Sequence, residues 1–277
     1  MYTRIARHGD ARTFLARARP WLLQTEVEHN LILGLAERAY TAKDPLYVAT
    51  VEQDGAVVGC ALRTPPRKLV LTRIPPGAVG ALAVDVAACY DELPAVLGPP
   101  TAAREFALHW CERHGCTARD AMAQRLYVLE RVPPVRTPPG GLRLATAADV
   151  ALIASWISCF ASETRADATS TPAFVAARVA AGELALWWDE QPRTLAGYSG
   201  RSPNGVRIGY VYTPPEWRGR GYAGACVAAL SQHALDNGAR FCCLYTDVAN
   251  PTSNGIYQRI GYRPVGDAID IVFTAHP

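Results

Sequence analysis

Residues 206–224 read V-R-I-G-Y-V-Y-T-P-P-E-W-R-G-R-G-Y-A-G. The first seven, Val206 to Tyr212, are dominated by β-branched and aromatic side chains and predict a strand, which Pro214 and Pro215 stop. From Tyr222 onward Ala223, Cys226, Val227, Leu230 and Ala234 recur at helical spacing until Asn237 and Gly238 end the run. A strand therefore enters a turn made of Arg218, Gly219, Arg220 and Gly221, and a helix leaves it. The backbone N–H groups at the start of that helix have no partner within it, and two guanidinium groups stand beside them. Such a junction attracts an anion, above all a phosphate or pyrophosphate.

Two motifs overlap in the turn. Gly219, Gly221 and Gly224 satisfy G-x-G-x-x-G, and Asp247 follows the next strand as a ribose-binding acid does in a dinucleotide fold. In that fold the turn follows its strand at once, whereas here 213–218 intervene, and the remaining strands and helices of a doubly wound sheet are missing. The same residues also read R-x-x-G-x-A at Arg218, Gly221 and Ala223. In this form the segment resembles the acetyl-CoA pyrophosphate loop of the GCN5-related N-acetyltransferases (GNAT family). The resemblance implies that Arg218, Gly219, Arg220, Gly221, Tyr222 and Ala223 hold the pyrophosphate, while Val211, Tyr212 and Thr213 pair with the arm of acetyl-CoA.

A second block follows at the spacing of the same family. Residues 240–246 read as a buried strand, 247–251 as a loop and 253–260 as a short helix closed by Gly261. Asn250, Ser253 and Tyr257, followed by Gly261 and Tyr262, resemble the pattern N-x-x-S-x-x-x-Y with its trailing G-[FY]. By that resemblance Asn250 and Ser253 belong to the cofactor site and Tyr257 is the general acid toward the departing CoA thiolate. A phenol within hydrogen-bond reach of sulfur supplies that proton, and strand N–H groups near Tyr212 polarise the thioester carbonyl. No metal is required. Taken singly, Tyr257 also reads as an aromatic packed beside Ile256 and Ile260, and Asn250 as a turn residue before proline. Family members that use a carboxylate base place it near the start of the organising strand, where this chain has Val206, Arg207 and Ile208. Glu163 and Glu216 are the nearest acids to consider, and each also reads as a solvated surface charge.

Working outward, residues 10–40 carry two amphipathic helical patterns with Pro20 between them. Strands follow at 46–53, 57–62 and 68–74, the first two joined by an Asp54-Gly55 hairpin turn. A helix at 78–90, a strand at 95–97, a helix at 101–114 and a strand at 121–131 complete this half. The proline- and glycine-rich stretch 133–141 is a linker between a domain at 1–132 and another at 142–277. Past it come a strand at 142–145, helices at 146–162 and 172–181, and strands at 184–188 and 194–201 leading into the quoted strand. The second half repeats the element order of the first. The expected fold is therefore α/β in the mixed α+β sense: two tandem GNAT-like domains, each a mostly antiparallel sheet flanked by helices, forming a pseudo-dimer within one chain.

Only the second copy carries the arginine. The matching junction of the first reads T-R-I-P-P-G-A-V-G-A-L, with Gly77 and Gly80 but no R-x-x-G-x-A, so the first half is expected to be degenerate.

Bulk composition limits the alternatives. A net charge of +3, from 28 basic and 25 acidic residues among 277, gives no general argument for nucleic acid, and 49% hydrophobic residues suffice for a substantial core. No apolar run reaches membrane-spanning length and 1–10 lacks the apolar core of a signal peptide, so a cytoplasmic location is expected. The eight cysteines form no C-x-x-C pair and read as free thiols; Cys111, Cys116, His109 and His114 lie close in sequence but at spacing unsuited to a metal. Trp156, Trp187, Trp188, Tyr198, Tyr210 and Tyr212 are candidates for an aromatic acceptor cleft as well as for the core. The implied activity is acetyl-CoA-dependent N-acetylation of a primary amine in a small molecule or peptide, by a monomer made through duplication. A non-catalytic CoA sensor and a dinucleotide-binding oxidoreductase are the alternatives.

Overall fold

The computed structural model describes residues 2–39, 46–164 and 169–275. The strands are β1 (Thr3–Arg7), β2 (Tyr47–Gln53), β3 (Ala56–Arg63), β4 (Leu69–Leu71), β5 (Ala95–Gly98), β6 (Cys116–Leu129), β7 (Gly141–Leu144), β8 (Leu184–Asp189), β9 (Gln191–Arg201), β10 (Gly205–Tyr212), β11 (Phe241–Asp247) and β12 (Arg263–Ala275). The helices are α1 (Ala11–Leu22), α2 (Glu26–Ala39), α3 (Val79–Ala87), α4 (Pro100–His114), α5 (Val150–Thr164), α6 (Pro172–Ala180), α7 (Tyr222–Asp236) and α8 (Pro251–Arg259). They form two compact units, one of residues 1–126, 246–251 and 264–277, the other of residues 127–245 and 252–263.

In the first unit the strand order is β1-β2-β3-β4-β5-β12-β6. Neighbours are antiparallel in the β1–β2, β2–β3, β3–β4 and β5–β12 pairs, and β4 runs parallel to β5 across the α3 crossover. Alternation along β2 sends Val48 toward Phe14, Leu22 and Leu33 of α1 and α2, and Ala49 and Val51 toward Leu82, Phe106 and Trp110 of α3 and α4. Asp54 and Gly55 both have positive φ, 48° and 83°, as a two-residue hairpin turn demands.

The second unit follows the same plan. Strands β7, β8, β9 and β10 are successive antiparallel neighbours, and β10 runs parallel to β11 across α7. Leu184 and Leu186 of β8 face Ile153 and Val175 of α5 and α6, whereas Ala185 and Trp187 face Cys226 and Leu230 of α7. Each unit is thus a mostly antiparallel sheet with helices on both faces and one parallel pair, in agreement with the expected fold class.

Several details differ from the expectation. Strand β1 had no place in the sequence reading. Pro20 lies inside the last turn of α1 rather than ending it, and the break falls at a 3-10 turn, Leu23–Thr25; the bond that proline removes is offset by the buried face of Phe14, Leu15, Ala18 and Leu22 that keeps this turn packed. Tyr40, at the edge of the second helical pattern, lies outside the described residues. The C-terminal strand β12 completes the first unit's sheet, with Ile269 and Ile271 in its core beside Trp110, while β6 passes from the first unit into the second at Tyr127. The eight cysteines are free; Cys60, Cys226, Cys242 and Cys243 are buried, and Cys89 and Cys159 are exposed.

The start of α5 shows how local chemistry sets an element. Thr146 and Asp149 form a reciprocal capping box, and both oxygens of Asp149 accept bonds from Arg143, at 2.8 and 3.0 Å. These bonds, Arg143's first, hold the Asp149 carboxyl down to about 2.

Two stability measurements test this architecture. Ile271→Ala, which empties a fully packed core position, should cost about 2–5 kcal/mol in urea unfolding, whereas Val272→Ala, at a half-buried position, should cost under about 1 kcal/mol. Asp149→Asn should cost about 1 kcal/mol or more at neutral pH. Because the folded carboxyl titrates below its unfolded value of about 3.9, its contribution is complete above pH ~4 and is lost as pH falls toward 2. The difference between wild type and variant should vanish across that window; a difference unchanged at pH 2.5 would refute the assignment.

Candidate active site

The organising strand is hydrogen-bonded on one side and diverges on the other. Its parallel register with β11 covers Gly205↔Phe241, Val206↔Cys242 and Arg207↔Cys243 and goes no further. On the opposite side, β9 stays paired as far as Tyr212↔Leu195, with a bulge between Gly209 and Tyr212. Tyr210 occupies that bulge with φ 53°, a backbone region that a bulky residue adopts only under constraint. The hydroxyl of Thr194 donates to the Tyr212 carbonyl at 2.7 Å and lies 2.7 Å from the Thr213 hydroxyl, pinning the end of β10 to β9. Val211, Tyr212 and Thr213 therefore stand where β10 has left β11, on the backbone predicted to receive an extended partner.

Beyond Thr213, residues Pro215–Trp217 form a 3-10 turn and Gly221 caps α7. Gly219 and Gly221 have φ of 77° and 84°, and a Cβ added at either would meet nothing closer than the Pro138 ring at 4.0 Å. Their backbone angle, not lack of room, is what calls for glycine. The first bond into α7 runs from the Ala225 N–H to the Gly221 carbonyl at 3.1 Å. The N–H groups of Tyr222, Ala223 and Gly224 thus head the helix with no acceptor inside it. At Gly224 a Cβ would make ordinary contacts, 3.5 Å to Ile256, whereas a dinucleotide fold uses its third glycine for close packing. The unit's strands β7 to β10 are also antiparallel rather than parallel, so the dinucleotide reading fails on fold as well.

The two guanidinium groups expected beside these N–H groups, those of Arg218 and Arg220, have partners of their own. Arg218 donates through Nε to the Thr213 carbonyl at 2.9 Å and through Nη2 to both carboxylate oxygens of Glu163, each at 2.8 Å. Glu163, considered as a base or a solvated charge, is instead the ion-pair partner of the loop arginine, joining the end of α5 to the loop. Both side chains are half-exposed, so the pair is screened and stabilises by no more than about 1 kcal/mol. Arg220 lies with its guanidinium 4.9 Å from the Trp217 ring centre.

A third cation escaped the sequence reading. Arg193 of β9 is buried, 6% exposed, with its guanidinium 3.8 Å from the Trp217 ring centre. Its Nε is 3.5 Å from Asp189, and its Nε and Nη1 have no hydrogen-bond partner among the described residues. Asp189 also accepts from the Tyr222 hydroxyl at 2.9 Å, so the Tyr222 side chain is directed into the β8–β9 hairpin and only its backbone faces the loop. A buried, under-partnered guanidinium beside a helix N-terminus raises the local positive potential. No motif reports it, because Arg193 sits in a strand whose neighbours Thr194 and Leu195 are also buried and alternation is lost.

Tyr257 lies on α8 next to Ile256, the residue in contact with Gly224 of α7. Its ring meets Tyr262 edge-on at 6.0 Å, and its hydroxyl has no partner among the described residues. Burial pushes its phenol up to about 12, so the group remains a proton donor through the neutral range. Ser253 shares α8 with it, whereas Asn250 falls in the segment 246–251 that belongs to the other unit. No acid stands at 206–208; Arg207 is bonded to Ser199.

Of the aromatic candidates, Trp156 and Tyr212 lie 6.1 Å apart, and Tyr210 meets Phe160, which the sequence reading left out, at 6.5 Å. Trp187 and Tyr198 are core residues, bonded to the Pro139 and Leu230 carbonyls, and Trp188 stacks under Arg143.

The first unit has the same junction between β4 and α3 with opposite chemistry. Gly77 has φ 81°, and its N–H donates to the Glu105 carboxylate of α4 at 3.1 Å. A carboxylate of the protein itself already faces the N–H group that would greet a phosphate.

Comparison with known proteins agrees with this geometry. Residues 188–268 match the family model described as FR47-like protein, a GNAT-related family. No curated protein sequence matches the chain. Among solved structures, a GNAT-family acetyltransferase from Colwellia psychrerythraea superposes with TM-score 0.60 at 11% identity, over 99% of this chain and 100% of that one. A GCN5-related N-acetyltransferase from Sphaerobacter thermophilus gives 0.62 at 18% identity, over 98% and 95%. A tandem GNAT protein of the clavulanic acid biosynthesis pathway gives 0.54 at 14% identity, over 100% and 99%. With residues 188–268 matched by the FR47-like model and almost the whole chain covered by these structures, the chain has the tandem fold of the GCN5-related N-acetyltransferases.

Proposed function

We propose that this chain is an acetyl-CoA-dependent N-acetyltransferase whose chemistry lies in its second half, 142–277, and whose acceptor is a primary amine of a small molecule or peptide. One observation carries the reading: β10 parts from β11 after Arg207 and leads, through the turn at Pro215–Trp217, into a glycine-punctuated helix N-terminus with arginines nearby. The N–H groups from Gly219 to Gly224 suit the two phosphates of CoA, and the unpartnered atoms of Arg193 fit the charge such a group brings. Residues Val211 to Thr213 offer backbone groups to the amides of the CoA arm, and Ser253 of α8 lies on the helix beside it. When bound, acetyl-CoA supplies an activated acyl carbonyl and a thiolate leaving group.

The residues of the chain then have distinct tasks. Strand N–H groups around Tyr212 orient and polarise the carbonyl. The Tyr257 hydroxyl holds its proton and delivers it to the departing sulfur. Trp156, Phe160, Tyr210 and Tyr212 form an aromatic wall on the α5 side of β10, suited to the apolar part of an acceptor. We assign no catalytic base, since no carboxylate occupies the start of β10; an amine that arrives neutral needs none. The Glu105 contact supports a single CoA site per chain, because an anion at the first unit's junction meets a carboxylate.

Calorimetric titration with acetyl-CoA, CoA and NAD tests the proposal. One acetyl-CoA site is expected, weakened about 5- to 100-fold in Gly221→Val, which forces a β-branched residue to φ 84°. Two sites would restore the first unit as a binding domain, and binding of NAD alone would reject the reading. Tyr257→Phe should lower kcat for CoA release with a panel of amines by about 100-fold or more, with little change in acetyl-CoA affinity. The wild-type rate should show no alkaline fall due to this group until pH approaches about 12, since only its neutral form donates. Tight CoA binding with no turnover on any amine would instead favour a sensing module.

A further inference from the structure

Among the cysteines, one pair stands apart from the site described above. Cys111 lies in the last turn of α4 and Cys116 opens β6, and their sulfur atoms are 3.1 Å apart. That is about 1 Å more than the ~2.05 Å of a disulfide bond. The chain between them is held by contacts that do not involve sulfur. Gly115 takes the left-handed cap conformation, φ 62°, and returns its N–H to the Cys111 carbonyl at 2.9 Å. The His114 ring stacks on Trp110 at 3.8 Å and its Nδ1 lies 3.0 Å from the Trp110 carbonyl. Trp110 is anchored in the core of the first unit. The two thiols are thus brought together by the helix cap and held there by an aromatic stack.

A metal site and an inert buried contact both fit the pair less well than redox chemistry does. Among the described residues no group of three His, Cys, Asp or Glu side chains is placed to hold a metal ion, so the dithiol lacks the further ligands of a zinc site. Neither residue is fully buried, in contrast to Cys60, Cys226, Cys242 and Cys243. Cys89 and Cys159 are more exposed, and Cys89 is bonded to Arg7 rather than to a second thiol.

We propose that Cys111 and Cys116 are a reversible modification site: a dithiol that a small disulfide of the oxidised-glutathione class converts into an intramolecular Cys111–Cys116 bond. The exchange runs in two balanced steps. The Cys116 thiolate attacks one sulfur of the oxidant, whose disulfide breaks, giving a Cys116 mixed disulfide and one glutathione thiolate that takes up a proton. Cys111 then loses its proton and attacks the Cys116 sulfur, forming the internal bond and expelling the second glutathione. Two protein thiols are oxidised and one glutathione disulfide is reduced to two thiols. Burial, reinforced by the bond from Cys116, raises the Cys111 thiol, so the exchange is written with Cys116 attacking first; it balances equally with the two roles reversed. The product fastens the end of α4 to the start of β6 across the helix cap that already joins them.

Trypsin makes the test direct, since cleavage after Arg113 places Cys111 in peptide 105–113 and Cys116 in peptide 114–119. The full-length protein is treated with oxidised glutathione, quenched with iodoacetamide, digested and analysed by mass spectrometry. The expected result is peptide 105–113 linked to 114–119 at two hydrogens below their summed mass, with loss of both free thiols and recovery on dithiothreitol treatment. Cys89 and Cys159 should carry at most single glutathione adducts. In Cys111→Ser and in Cys116→Ser the remaining thiol should stop at a mixed disulfide with glutathione and no cross-linked peptide should form; circular dichroism confirms that both variants are folded. Separate glutathione adducts on Cys111 and Cys116 without the cross-link, or no modification at either, would overturn the proposal.

Discussion

Two parallel strands that stop hydrogen bonding after three residue pairs are the constraint on which the candidate site depends. Strand β10 cannot stay with β11 past Arg207, because it is held from the other side by the bulge at Tyr210 and by the Thr194 hydroxyl on the Tyr212 carbonyl. The backbone at Val211 to Thr213 is carried away from β11 and toward the glycine loop. A bulge re-aims a strand at the cost of one residue in an unfavourable backbone region, and it persists only where neighbours over-determine it. Here Phe160 of α5 against the Tyr210 ring and the paired β9 beneath it do so.

Charge around the loop follows from burial as much as from sequence. Three arginines surround Trp217 and the start of α7, yet they are in different states. Arg218 is neutralised by Glu163 at the surface, Arg220 is solvated, and Arg193 is buried with only a longer-range carboxylate, Asp189, to balance it. The buried one contributes most to local potential, because water screens it least. In the first unit the corresponding junction meets Glu105. The two units thus share a backbone plan and differ in the charges near this junction: a carboxylate bonded to the Gly77 N–H in the first, and arginines around Trp217 in the second.

Much of this was legible before any coordinates. The β10–loop–α7 segment, the hairpin at Asp54-Gly55, the repeat of element order and the free state of the cysteines all stand in the structure, because each rests on local chemistry: alternation, helical spacing, left-handed glycines and caps. Strand β1 was missed since T-R-I-A-R carries too little apolar character to be distinguished from a tail. The wall formed by Phe160 and the direction of the Tyr222 side chain were equally hidden, for they depend on partners far away in the chain.

By itself, then, the sequence determined most of the elements, their duplicated order and the left-handed glycines of the turn between β10 and α7, since these are set by residues within a few positions of one another. Tertiary structure alone decided that β12 completes the first unit's sheet, that Arg218 is bound to Glu163, that Arg193 stands buried under Trp217, and that Cys111 and Cys116 bring their sulfurs together. The physical reason is common to all four. Strand pairing, ion pairing and burial depend on which distant or turned-back parts of the chain share a few ångströms of space, and the hydrophobic cores that enforce that proximity exist only once the whole chain has packed.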